Sequence, residues 1–292
     1  MIEELKTFIT VVDKKSFTKA ANAINISQPS VSLHISNLEN YFKTRLIERS
    51  NKQRTIFITA EGEILYKRAK QIISFLDETK EELLNYDGSP CGTLKLGASM
   101  TIGEFLLPSM LGEFIKEFPN IKLEVTIENT EHIYEKFKNY DIDIALIEGT
   151  VPVENYIYNN FYKDTMVIVA PFSSTYKEAI DLKSYLSKQT WIHREKGSGT
   201  GENLNIFLNS HGISPKNLIT LGSNYSIKEA VKNNLGITFI SSLVVDDAVK
   251  NNELKIIPLK TEYYRYFSYI VHDKNLSKAA ELFLKKLHEK FQ

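Results

Sequence analysis

Residues 16–42, SFTKAANAINISQPSVSLHISNLENYF, decide the fold of the N-terminal part of this chain. Ser16 is a good N-cap, which predicts a helix over 17–24 whose inward residues are Phe17, Ala20, Ala21 and Ile24. Asn25-Ile26 interrupts it. Ser27 then caps a second helix, with Pro29 in the first turn, where the missing N–H costs nothing. Val31, Ile35, Leu38 and Phe42 recur at helical spacing and are expected inside, leaving Gln28, Ser30, Ser32 and His34 outside. Two short helices joined by a tight turn, the second offering small polar groups from its N-terminal half, form the geometry that enters a DNA major groove.

Upstream, Leu5, Phe8, Val11 and Val12 give a preceding helix one apolar face. Downstream, Arg49-Ser-Asn-Lys-Gln-Arg54 followed by Thr55-Ile-Phe-Ile-Thr59 reads as a basic hairpin tip and its return strand, a wing. Thr59 is the expected cap of one long helix over 59–88, with Glu61 and Glu63 in the first turn, where acids suit the helix dipole. Along it Leu65, Ala69, Ile72, Leu76, Thr79, Leu83 and Tyr86 recur at steps of 4, 3, 4, 3, 4, 3. That is the seam of a coiled coil, and the flanking positions are almost all charged. The alternative is a helix packed on its own protein's core. Asn85-Tyr-Asp-Gly-Ser-Pro90 ends the segment with turn formers.

Strands are expected at 93–98, 121–127, 142–147, 165–170, 189–193, 236–240, 254–259 and 267–271, with helices at 104–118, 131–139, 202–211 and 226–234 between them. Such alternation implies an α/β region with largely parallel sheets, whose ligands bind outside the carboxyl ends of the strands. The expected organisation is a DNA-reading head over 1–58, a linker helix over 59–88 and an α/β domain over 93–292. That domain divides into a first lobe (about 93–163 and 266–292) and a second (about 164–265).

The bulk numbers fit. At 292 residues, two or three domains are expected, and 42% hydrophobic with 25% charged residues describes an ordinary globular chain. The 36 basic and 36 acidic residues balance overall, but residues 1–58 carry nine basic against five acidic side chains, a net +4. A basic head on an acidic body suits a polyanion partner for the head alone. No apolar run reaches membrane-spanning length, and MIEELKTFITVVDKK lacks the apolar stretch of a signal peptide. A single cysteine, Cys91, excludes an internal disulfide and suits a cytoplasmic setting.

Phe8, Ser16-Phe17-Thr18, Ala20-Ala21, Ser27-Gln28-Pro29-Ser30, Ser32, Leu38-Glu39, Arg45-Leu46, Glu48-Arg49, Thr59 and Glu61-Gly62 together resemble the LysR-type transcriptional regulators. The remainder is similar to that family's sensor, a pair of lobes like a periplasmic binding protein. Gly97-Ala-Ser-Met-Thr-Ile-Gly103 looks like the branch that contains regulators of sulfur assimilation. Three positions depart from the pattern: Lys43 stands where the family has Gly, Ile47 where it has Phe, and Leu33 where it often has Arg. Lys43 is expected in a left-handed C-cap, at a small steric cost.

The resemblance implies a transcription factor that reads an interrupted inverted-repeat operator on double-stranded DNA. It also implies a homodimer or homotetramer, RNA polymerase as a partner, and control by a small effector between the lobes. DNA contacts are expected from Ser27, Gln28, Pro29, Ser30, Ser32 and His34, with Arg49, Lys52 and Arg54 of the wing on phosphates or in the minor groove. Pairing would use Leu65, Ala69, Ile72, Leu76, Thr79 and Leu83. Effector contacts are expected from Ser99, Met100, Thr101, Glu148, Arg194, Ser198, Gly199, Thr200, Asn224 and Ser226. Hydroxyls and free amides at three strand-to-helix junctions suit an anion; any one of them could be an ordinary N-cap, but all three together fit that alternative less well.

Other chemistries find little. No Lys follows the glycines of 197–201 as a P-loop requires, and Glu202 stands at the last glycine of a dinucleotide fingerprint. The six histidines show no zinc-type spacing with one another or with Cys91. No nucleophile is paired with a base, so neither catalysis nor a cofactor or metal is expected.

Overall fold

Helix α1 (Ile2–Lys14) is followed by α2 (Phe17–Ala23) and α3 (Gln28–Phe42). Ser16 Oγ accepts the Lys19 amide at 3.3 Å and Ser27 Oγ the Ser30 amide at 3.2 Å, so both serines cap as their positions require. Residues 1–49, 56–84, 90–152, 156–174, 176, 181–272 and 276–291 are described by the computed structural model. They fall into two units, Met1–Ser89 and Pro90–Gln292.

In the first unit Leu5, Phe8, Val11, Phe17, Ala20, Ala21, Val31, Ile35 and Leu38 form one core under the three helices. Phe42, expected inside, is 44% exposed. The core ends at Leu38, and beyond it Phe42 packs edge-on against Tyr41, with ring centroids 5.0 Å apart. Lys43 does adopt the left-handed cap, at φ 53°. Strands β1 (Ile47–Arg49) and β2 (Ile56–Ile58) pair antiparallel as the stem of the wing.

Thr59 Oγ1 accepts the Gly62 amide at 3.0 Å, capping α4 (Ala60–Leu84). A Cβ at Gly62 would stand 2.3 Å from the Leu46 carbonyl oxygen, so only glycine lets α4 start this close to the wing. The first turns of α4 correct one expectation. Leu65 (8% exposed) and Ala69 (0%) belong to the core of their own unit and are not available for a seam. Further along, Ile72, Phe75, Leu76 and Leu83 are exposed, as is Ile64 near the start, and Thr79 is half-buried, its hydroxyl bonded to the Phe75 carbonyl.

The second unit corrects the expectation of largely parallel sheets. β3 (Gly92–Ser99), β4 (Ile121–Glu128) and β5 (Ile144–Glu148) are parallel, with β3 in the middle. The 15-residue β6 (Ile157–Pro171) instead runs antiparallel to β11 (Tyr263–Val271), which runs antiparallel to β5. These two long strands serve both cores of the unit: Phe161 and Phe267 pack in one hydrophobic cluster, and Met166, Ile168 and Tyr263 in another, so they are the strands that would act as the hinge. β9 (Thr238–Ser241) and β10 (Leu254–Ile257) add to β6, also antiparallel. A separate parallel pair, β7 (Thr190–Arg194) and β8 (Asn217–Leu221), completes the second lobe.

Helices cover these sheets. A single-turn π-helix (Ile102–Leu106) leads into α5 (Leu107–Glu117), and α6 (Thr130–Lys138) follows β4. α7 (Leu182–Ser187), α8 (Gly199–Ser210), α9 (Asn224–Lys232) and α10 (Ser242–Lys250) belong to the second lobe. C-terminal α11 (Lys278–Phe291) returns to the first, where Phe283 and Leu287 pack with Phe114, Leu94 and Leu96. α8 and α9 start two or three residues earlier than expected. Gly199, Thr200 and Gly201 are therefore the first turn of α8, not a loop before it.

Candidate functional site

On α3, Gln28 and Pro29 are exposed and Ser30 and Ser32 half-exposed. Gln28 Nε2 donates to Ser32 Oγ at 3.0 Å, and the Ser27 and Ser30 hydroxyls lie 2.7 Å apart, so these groups form one polar face one turn from the helix start. His34 behaves differently. Its Nδ1 lies 2.8 Å from the hydroxyl of Thr7, which is 2% exposed and itself donates to the Glu3 carbonyl. That bond ties α3 to α1, so His34 has a structural partner whatever its outer nitrogen meets. Lys52 and Arg54 lie outside the described residues, as does the side chain of Arg49.

In the second unit the carboxyl ends of β3, β4, β5 and β7 deliver Ser99, Asn129, Glu148 and Arg194. Ser198 caps α8, its Oγ accepting the Gly201 amide, and Ser223 caps α9. Gly199 fits against the Glu148 carbonyl, which a Cβ would meet at 2.2 Å; this brings the start of α8 onto the first lobe. Ser99, Thr101, Glu148, Arg194, Ser198, Thr200 and Asn224 are all buried together, and Gly199 lies among them.

Their hydrogen bonds cross between the lobes. Arg194 donates through Nε and Nη2 to the two oxygens of Glu195, at 2.7 and 2.8 Å, and through Nη1 to Asn224 Oδ1 at 2.8 Å. Asn224 Nδ2 donates to Thr101 Oγ1 at 3.0 Å. Arg265, on the hinge strand β11, donates to Asp164 Oδ2 (2.8 Å), Thr200 Oγ1 (3.1 Å) and Thr101 Oγ1 (3.2 Å). Its Nη2 also stands 2.6 Å from Glu148 Oε2, an ion pair whose geometry falls short of an aligned hydrogen bond. Asn129 Nδ2 reaches Glu195 Oε1 at 3.2 Å. Burial pushes the Asp164 carboxyl above its ordinary range against the pull of Arg265. Burial also raises that of Glu195, but hydrogen bonds from Arg194 and its charge more than offset this and hold it low.

Two expected contacts stand apart from the cluster. Ser226 is exposed, its hydroxyl bonded to Ser223 at 2.8 Å one turn down α9. Met100 is only half-buried. Four participants escaped sequence reasoning: Arg265, Asp164, Glu195 and Asn129. Asn129 and Glu195 sit at strand ends, where the rule for α/β sheets could have found them. Arg265 and Asp164 lie inside strands: Arg265 is the single charge of β11, whereas Asp164 stands beside Lys163 in the polar first half of β6 and carried no signal of its own.

A helix-turn-helix head with a wing and a two-lobed body with a buried polar cleft define a regulator that carries its DNA reader and its sensor on one chain. Residues 2–63 match the bacterial regulatory helix-turn-helix protein of the lysR family, and residues 87–292 match the LysR substrate binding domain. The chain is 40% identical to the HTH-type transcriptional regulator CysL of Bacillus subtilis over 292 residues, 99% of this chain and 97% of that protein. The regulatory domain of CcmR from Synechocystis, solved in complex with 2-PG, superposes with a TM-score of 0.63 at 25% identity, covering 69% of this chain and 98% of that one. Full-length CbnR in complex with its target DNA shares the fold, with a TM-score of 0.66 at 16% identity over 99% of both chains. The chain belongs to the LysR family of transcriptional regulators.

Proposed function

We propose that this regulator senses a small carboxylate or inorganic oxyanion, bound in the cluster around Thr101, Arg194, Thr200 and Asn224, and that binding controls how paired heads engage DNA. The observation that carries this reading is a pair of donors left over in a buried place. Ser99 Oγ is 0% exposed and has no hydrogen-bond partner. Thr101 Oγ1 already accepts from Asn224 and Arg265, so both lone pairs are used and its O–H points elsewhere. Buried donors without acceptors cost about 1–3 kcal/mol each, and an anion supplies acceptors. The N-termini of α8 and α9 add dipoles of the favourable sign. CcmR, a structural relative, takes 2-PG in its regulatory domain.

The exposed apolar stripe of α4, with Ile72, Phe75, Leu76 and Leu83, supports pairing of two chains. Two recognition helices would then reach successive turns of an inverted-repeat operator. Dimers bridged by their sensor domains into a tetramer, and contact with RNA polymerase, extend the same reading. No helix among the described residues is long and apolar enough to cross a membrane, and a regulator that acts on an operator would work in the cytoplasm, where the DNA lies. Thermal-shift screening of the full chain against sulfate, sulfite, phosphate and small carboxylates tests the anion. Stabilisation by cations or neutral amines alone would defeat the reading.

A further inference from the structure

Every nitrogen of the two cleft arginines is already engaged by this chain. The three of Arg194 go to Glu195 and Asn224, and the three of Arg265 to Asp164, Thr200 and Thr101. Their guanidiniums touch three carboxylates, those of Glu148, Asp164 and Glu195, and the exposed Glu104 acts on Arg194 and Glu148 through space. An added anion would be a fourth negative group in contact with the two guanidiniums in a buried site, where uncompensated charge is costly. One of the chain's own carboxylates must therefore give way.

Burial decides which. The side chains of Glu148 and Asp164 are 2% and 0% exposed, and Asp164 is further held by Ser241 Oγ at 2.6 Å. The Glu195 side chain is 30% exposed and borders an open groove of about 550 Å³, lined also by Thr130, His193, Lys196 and Ser198. Of the three carboxylates in contact with a guanidinium, it alone has water to move into. It also binds Arg194 as a free carboxylate would, with both oxygens along one guanidinium edge.

We infer that the Glu195 carboxylate is the chain's own placeholder for the effector's anionic group, keeping Arg194 neutralised until a carboxylate or oxyanion with two oxygens takes the same guanidinium edge. The inference rests on the anion reading above and adds a coupling to it. Glu195 Oε1 also accepts from Asn129, the N-cap of α6 in the first lobe, while Arg194 belongs to the second. Displacing Glu195 breaks that tie between lobes. Ligand binding then differs in free energy between clasped and released states, which any effector-driven shift requires.

The test uses the full chain, titrated calorimetrically with sulfate, phosphate and acetate, with chloride as a one-atom control. Glu195→Gln removes the competing charge and should bind the best oxyanion roughly tenfold tighter or more, with chloride unchanged. Asn129→Ser keeps an N-cap oxygen but falls short of Glu195, and should tighten binding less. Equal affinities in wild type, Glu195→Gln and Asn129→Ser would overturn the placeholder while leaving the anion reading intact. If Glu195→Gln fails to fold, an unchanged affinity in Asn129→Ser overturns it alone. Oxyanion binding that survives Arg194→Gln undiminished, or absence of oxyanion binding from every variant, would remove the anion reading and the placeholder with it.

Discussion

Asn224 and Thr101, 123 residues apart in sequence, are joined by one hydrogen bond of 3.0 Å, from the amide of the first helix turn of the second lobe to a hydroxyl of the first lobe. Because Thr101 Oγ1 also accepts from Arg265, a single hydroxyl oxygen ties both lobes to the hinge strand.

Thr101→Val should therefore do two things. It leaves an Asn224 donor and part of the Arg265 fork unsatisfied, costing about 2–4 kcal/mol of stability at typical penalties for buried donors. It also removes the hydroxyl available to an anion, so affinity should fall about five- to a hundredfold. Thr101→Ser should recover most of both. Denaturant unfolding and calorimetry on the same samples check this. A Thr101→Val protein as stable as its parent would show that the bond carries nothing.

On the head, Gln28→Ala and His34→Ala should separate. Gln28 is exposed at the start of α3, so its loss should relax base preference at one or two operator positions with little effect on folding. His34 is bonded to buried Thr7, so its loss should destabilise the head by about 1 kcal/mol and weaken binding to all sequences alike. Binding to a randomised operator pool reads both outcomes. A changed base preference in His34→Ala with no loss of stability would return His34 to the DNA-reading set.

The head was legible because its signals are local. Ser16, Ser27 and Thr59 announce caps within three residues of where they act, and helical spacing finds Val31, Ile35 and Leu38. The seam was half legible. Spacing alone cannot tell Leu65 and Ala69, which belong to the core of their own unit, from Leu76 and Leu83, which are exposed and belong to no core cluster among the described residues. Within the cleft, Thr101, Arg194, Thr200 and Asn224 were visible at strand-to-helix junctions. Arg265 and Asp164 were hidden because their role depends on antiparallel pairing of β6 with β11, a contact of 101 residues' separation that no short window contains. The same non-local pairing makes the sheet mixed where alternation of elements suggests a parallel one.

The division of α4 gives a third prediction. Leu65→Ala creates a cavity in a filled core and should cost the first unit about 2–5 kcal/mol. Leu76→Glu, at a site 38% exposed, should cost the monomer little but place a charge in the proposed seam. Light scattering should then show smaller assemblies and operator affinity should fall, with secondary structure retained. Unchanged assembly and affinity in Leu76→Glu would mean that another surface joins the chains.

The last prediction concerns pH. The His272 ring is stacked between Phe137 and Tyr140, with centroids 3.8 and 3.9 Å away. Burial there lowers its pKa from the ordinary 6.5 to about 4. Between these values the unfolded chain binds a proton that the folded chain does not. Stability therefore rises with pH through that window, is fully present above about 6.5 and is lost as pH falls toward 4. At about 1.4 kcal/mol per pH unit the whole window would amount to roughly 3 kcal/mol. Partial solvent access to the ring reduces this to about 1–2 kcal/mol. His272→Phe keeps an aromatic ring in the stack and removes the titration. Urea unfolding of the second unit at pH 5 and pH 7.5 should show a smaller difference in the variant than in the parent, by about that amount. An identical difference in both proteins would place the acid sensitivity on other groups, with Asp143 and Asp164 excluded by sign. Burial raises both carboxyls above their ordinary range, so each favours the folded chain as pH falls, opposite to His272.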